Sequence, residues 1–120
     1  MRIMDLKRGM VVDVNLDPTL GSETGKVRPC VVVTNDTYNA RVPVVQVVPI
    51  TTWTEKKARI VTNVSVTPSA ENGLNKRSIA DCLQTCPIDR RIRIVGQRGQ
   101  LEGVLLAEID RALKMVFGFG

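Results

Sequence analysis

A chain of 120 residues with 43% apolar side chains is one domain's worth and can bury a core without disulfide staples. It contains no histidine, which excludes imidazole as general base, general acid or metal ligand. Seventeen basic residues against twelve acidic ones leave a charge of +5, which favours an anionic partner such as nucleic acid.

The first half reads as β-structure. GMVVDVNL, residues 9 to 16, alternates Val12, Val14 and Leu16 against polar partners and predicts the first strand. The connection DPTLGSETGKVRP follows, and CVVVTN (30–35) is a β-branched run suited to a strand buried on both faces. VPVVQVVPITTW (42–53) is a third strand, whose Pro49 is expected to mark an end at an edge or bulge. RIVTNVSVT (59–67) alternates again, and turns are expected at Asn35-Asp36 and from Ser69 to Gly73.

RSIADCLQT (77–85) reads as a strand, and PIDRRIRIVGQ (87–97) as a turn opened by Asp89 followed by a short strand. From Leu101 the period becomes helical through Leu105, Ile109, Ala112, Leu113 and Val116, with Gly118 as the stop. The expectation is one domain over 1–120, mainly β with a C-terminal α-helix packed on a small barrel. No run of about 18 apolar residues is present, so no transmembrane helix is expected, and the charged start MRIMDLKRG is unlike a signal peptide. Cys30, Cys82 and Cys86 have no zinc-type pairing and read as reduced thiols of a cytoplasmic protein.

GSETGKVRP, residues 21 to 29, is the stretch with chemistry in it. It is not a Walker A loop: only three residues separate Gly21 from Gly25, and Lys26 is followed by valine rather than Ser or Thr. It also runs into Pro29 and a valine-rich strand, where a P-loop would enter a helix. What remains is a long loop that delivers Arg28 to the rim of a sheet, and a guanidinium fork there suits bidentate phosphate binding.

KRGMVVDVNLDPTLGSETGKVRPCVVVTND, residues 7 to 36, resembles the N-terminal signature of the MazF/PemK toxin endoribonucleases. The matching pieces are Arg8-Gly9, Leu16-Asp17-Pro18, Gly21-Ser22-Glu23, Gly25 and Arg28-Pro29. VVPITT, with Thr51 and Thr52, is similar to the family's strand ending, and NGLNKRSIADCLQTCPIDRRI to its Gln-x-Arg-x-Ile-Asp segment. The first strand departs from the family in lacking aromatics. Cys86 stands where the Gln-x-Arg arginine belongs, which either alters base recognition or leaves Arg90 or Arg91 to substitute.

The resemblance implies an SH3-like β-barrel of the CcdB/PemK kind, a homodimer, and metal- and cofactor-free cleavage of single-stranded RNA. It also implies a cognate antitoxin, an acidic segment that folds onto the basic toxin. Arg28 and Thr51 match the family's catalytic pair, with Glu23 as base or substrate orienter. Ser22, Lys26, Thr52, Trp53, Lys56, Lys57 and Gln84 are the expected RNA contacts, Trp53 by stacking on a base and the lysines, with Arg59, at backbone phosphates. The 2′-hydroxyl would attack phosphorus, giving 2′,3′-cyclic phosphate and 5′-hydroxyl ends. Two rivals share the fold: a CcdB-type gyrase inhibitor and a non-catalytic RNA-binding relative. The chain ends MVFGFG, without the C-terminal tryptophan on which the gyrase poisons depend.

Overall fold

The computed structural model describes residues 5–119. Seven strands follow one another as β1 (Met10–Asn15), β2 (Val27–Val32), β3 (Val44–Thr52), β4 (Asn63–Val66), β5 (Ser78–Asp81), β6 (Cys86–Asp89) and β7 (Ile94–Gln100). Between them lie three single helical turns, α1 (Asp36–Asn39), α2 (Glu55–Ala58) and α3 (Arg90–Arg93), and the chain closes with the long helix α4 (Gly103–Phe117). Every ladder is antiparallel, in the order β4-β5-β3-β2-β1-β7, with β6 also paired to β3.

β3 organises the sheet. One side pairs with β2, while the other pairs first with β6 over Val44–Val47 and then with β5 over Ile50–Thr52. Pro49 lies in the gap between those two partners. The strand therefore does not end there, as the sequence led one to expect. A residue with no N–H to donate is tolerated inside a central strand where the strand changes neighbours.

Both faces of the sheet are covered. Val11, Val31, Val48 and Ile50 pack with Ile109 and Ala112 of α4 on one side. Val12, Val14, Cys30, Val32, Val45 and Val47 pack with Leu6, Ile88 and Ile94 on the other. Val11, Val12 and Val14 are all fully enclosed, each contributing about 1.5–3 kcal/mol of burial. That is why the valine runs are continuous rather than alternating.

The expected barrel is realised only in part. Among the described residues no ladder joins β4 to β7, so the sheet is curled but not closed. The β4–β5 loop spans the gap instead: the Gln100 N–H donates to the Glu71 carbonyl at 2.9 Å, and Arg98 Nη1 to the Gly73 carbonyl at 3.4 Å.

Three other expectations shift. The strand predicted from Arg59 begins only at Asn63, because the Thr54 hydroxyl caps α2 by accepting from the Lys57 N–H at 3.1 Å. The strand predicted over 77–85 stops at Asp81 and gives way to a 3-10 turn over Cys82–Gln84. The turn at Asn35-Asp36 extends into α1, with Asn35 Oδ1 accepting from the Thr37 N–H at 2.9 Å. The C-terminal helix starts two residues after Leu101 and ends as expected at Gly118, whose φ of 72° is the left-handed cap that glycine adopts without strain.

Candidate nucleic-acid cleft

The loop between β1 and β2 is tied at its base. Asp17 accepts from the Lys26 N–H at 2.8 Å, and the Lys26 carbonyl accepts from the Leu16 N–H at 2.9 Å. Gly25 lies inside this bracket: a Cβ there would sit 2.6 Å from Thr19 Oγ1 and 2.8 Å from Asp17 Oδ1. Its carbonyl in turn accepts from Arg28 Nε at 2.9 Å. The motif glycine thus fixes the arginine, and among the described residues the two terminal nitrogens of Arg28 have no partner.

β2 begins at Val27, three residues before the predicted strand, so Arg28 belongs to the sheet. Cys30 pairs with Pro49; carried two residues further, that antiparallel register sets Arg28 opposite Thr51, on the same face. Both side chains line one cleft of about 330 Å³, together with Thr52, Lys76, Ser78 and Arg98. The Thr51 hydroxyl is held from behind, accepting from Lys57 Nζ at 2.9 Å and donating to the Thr52 carbonyl at 3.3 Å. Arg98 is steadied by Asp13 of β1, whose Oδ1 accepts from Nε at 2.7 Å.

A second cleft, of about 350 Å³, collects Glu23, Thr24, Gln84, Cys86 and Arg93. Glu23, expected beside the arginine–threonine pair, lines this cleft and not theirs. Its Oε1 accepts from the Leu20 N–H at 2.7 Å, which folds the loop tip. Gln84 Oε1 accepts from the Thr24 N–H at 3.2 Å and so anchors the loop to the 3-10 turn.

Neither expected substitute for the missing arginine reaches Cys86's cleft. Arg90 is buried against the Asn39 carbonyl at 2.6 Å, and Arg91 pairs with Asp89 at 3.3 Å, because Asp89 caps α3 and turns the chain. Arg93 enters the cleft instead, with Nη1 donating to the Asn15 and Asp17 carbonyls at 3.0 and 2.6 Å.

The remaining expected contacts are scattered. Ser22 and Lys26 are exposed on the loop, and Lys56 is exposed on α2. Arg59 is engaged by Glu55 at 2.6 Å. Trp53 is half-buried: its Nε1–H donates to Ser65 Oγ at 3.2 Å, and the Arg77 guanidinium covers its ring 3.7 Å from the centroid. One face of the indole is therefore occupied by a cation rather than open to a base. Burial pushes the Cys30 and Cys86 thiols above their ordinary range, and Cys82 up to about 12, so all three stay protonated near neutrality.

Lys76, Arg98 and Asp13 escaped the sequence reading. Asp13 left only a weak signal, a carboxylate at a polar position of the alternating first strand. Arg98 left none, since nothing in QRGQ sets it apart from a solvated charge.

Residues 7–117 match the model of the PemK-like, MazF-like toxins of type II toxin–antitoxin systems, and the chain belongs to that family. It is 32% identical over 115 residues to endoribonuclease MazF9 of Mycobacterium tuberculosis, covering 92% of this chain and 94% of that protein. Its fold is that of MazF from Deinococcus radiodurans (TM-score 0.81, 22% identity, covering 97% of this chain and 99% of that one). A mycobacterial endoribonuclease solved with its cognate antitoxin superposes with a TM-score of 0.74 at 20% identity, over 94% of this chain and 95% of that one.

Proposed function

We propose that this protein is the endoribonuclease toxin of a toxin–antitoxin pair, a single domain that cleaves single-stranded RNA in the Arg28–Thr51 cleft. The observation that carries this reading is the shared cleft itself: two residues far apart in sequence, one a guanidinium whose terminal nitrogens have no partner among the described residues, the other a hydroxyl fixed by an ammonium. The relatives named as endoribonucleases support it.

In the reaction the RNA 2′-oxygen bonds to the adjacent phosphorus and the bond from phosphorus to the 5′-oxygen breaks. The 2′-hydroxyl proton is released to solvent and the 5′-oxygen takes one up, so no co-reactant is consumed. The products are a 2′,3′-cyclic phosphate and a 5′-hydroxyl. Arg28 faces the charge that builds on the non-bridging oxygens, where paired N–H donors are most effective. Lys57 polarises the Thr51 hydroxyl, whose proton turns from the weak Thr52 contact to a phosphoryl oxygen. Lys76 and Arg98 add positive charge along the strand path, and the step calls on no metal ion. Glu23 and Gln84 belong to base recognition in the second cleft, with Cys86 and Arg93 in place of the family's arginine.

The same reading includes a homodimer, supported by exposed apolar side chains such as Leu20, Leu83, Ile92 and Phe119. It includes an acidic antitoxin segment that covers the cationic cleft, a cytoplasmic location supported by three unpaired thiols, and an SH3-like barrel closed by a loop. Among the described residues no helix is long and apolar enough to cross a membrane. The test is incubation of the purified protein with a long single-stranded RNA in EDTA, followed by mapping of the ends. Discrete fragments with 5′-hydroxyl ends that vanish with Arg28→Ala uphold the reading. Intact RNA that is merely bound, or inhibited gyrase with uncut RNA, overturns it.

A further inference from the structure

At the opposite end of β3 lies a buried cation with no counter-ion among the described residues. Arg90 is 7% exposed, and none of the ion pairs among the described residues includes it. Nη2 donates to the Asn39 carbonyl at 2.6 Å, while Nε, fully enclosed, meets no acceptor. An unpaired ion taken out of water costs several kcal/mol, so a guanidinium in this state attracts an anion strongly.

The surroundings fit one. Arg90 lines a cleft of about 220 Å³ with Arg41 and Arg91, between walls made by Ala40, Val42 and Pro43. The carboxylate beside it, Asp89, is taken up by Arg91 at 3.3 Å. Three guanidiniums thus meet a single carboxylate, and the forked donors suit a tetrahedral oxyanion. We propose that the Arg41–Arg90–Arg91 cleft binds a phosphate group. Val44 and Thr51 lie near opposite ends of β3, about 23 Å apart at roughly 3.3 Å per residue, so this site is separate from the Arg28 cleft. The group comes either from free phosphate or from the backbone of a single-stranded nucleic acid, and the test separates the two.

Titrations start from Arg28→Ala, which weakens phosphate binding in the other cleft and blocks cleavage. Inorganic phosphate is added at constant ionic strength against chloride, with backbone amide NMR shifts as readout. Saturable shifts at residues 40–43 and 90–91 are expected, with an apparent Kd weakened about tenfold by adding Arg41→Ala. Arg90→Gln should abolish the response; should that variant unfold, the exposed Arg41 still decides the matter. A short oligodeoxynucleotide that displaces phosphate from these amides assigns the site to nucleic-acid backbone, and one that does not assigns it to free phosphate. A response that fails to saturate, equals that to chloride, or ignores Arg41→Ala overturns the proposal and leaves Arg90 as a clamp on Asn39.

Discussion

Two loops position groups in the Arg28 cleft, and they are held in opposite ways. The β1–β2 loop is mostly exposed and closes on itself through Asp17, Gly25 and Lys26. The β4–β5 loop is built around Asn72, which is fully buried. Asn72 Oδ1 accepts from the Ser69 and Leu74 N–H groups at 3.0 Å each, and Nδ2 donates to the Thr67 carbonyl at 3.0 Å and to Glu102 Oε1 at 3.1 Å. The first loop aims a reacting group; the second holds Lys76 and the end of β7 in position. A loop that does chemistry can be worn thin in contacts, whereas the loop that stands in for a missing ladder must satisfy its buried backbone.

Edits on the two loops should therefore separate activity from stability. The largest effect is expected from Arg28→Ala, which should lower RNA cleavage by roughly 10²- to 10³-fold, about 3–4 kcal/mol, while urea unfolding stays unchanged. If unfolding shifts as well, the arginine is part of the architecture and the contrast collapses. Next comes Asn72→Ala, which strands several buried backbone groups and should cost about 2–3 kcal/mol in urea denaturation.

A smaller effect is expected from Gly25→Ala, whose Cβ must push Thr19 or Asp17 aside. Displacement of the Arg28 anchor should slow cleavage roughly tenfold, since misplacements of about 1 Å cost up to about 10²-fold. Equal loss of cleavage and stability would erase the distinction. The smallest effect belongs to Glu102→Gln. Burial pushes the Glu102 carboxyl upward, but hydrogen bonds from Ser69 and Asn72 outweigh it and hold the pKa below the ordinary glutamate value. A depressed folded pKa stabilises above the unfolded value, and that share is lost as pH falls through the folded one. The variant should thus be about 1 kcal/mol weaker at pH 7, and the gap to the parent should close in acid, as read by unfolding at stepped pH.

Much of this was legible in one dimension. The loop motif and the VVPITT strand ending marked Arg28 and Thr51 only through a family resemblance, whereas the valine runs announced strands covered on both faces and the Leu101–Val116 spacing announced α4. Local patterns report local conformation and burial, so the strand and helix readings survived. Pro49 misled because a missing N–H marks an absent partner, and which partner is absent depends on how β5 and β6 divide one side of β3. Arg90, Arg91 and Arg93 are alike on paper; the Asp89 cap sends one inward, one outward and one into the second cleft.

By itself the chain's order of residues determined the valine-rich strands and the terminal helix, which are governed by neighbours within a few positions. Only the folded sheet decided that Thr51 faces Arg28, that Arg98 leans on Asp13 beside them, and that Glu23 turns to another cleft. Those outcomes depend on strand register and on loops meeting across the sheet, where residues far apart along the chain first acquire a distance.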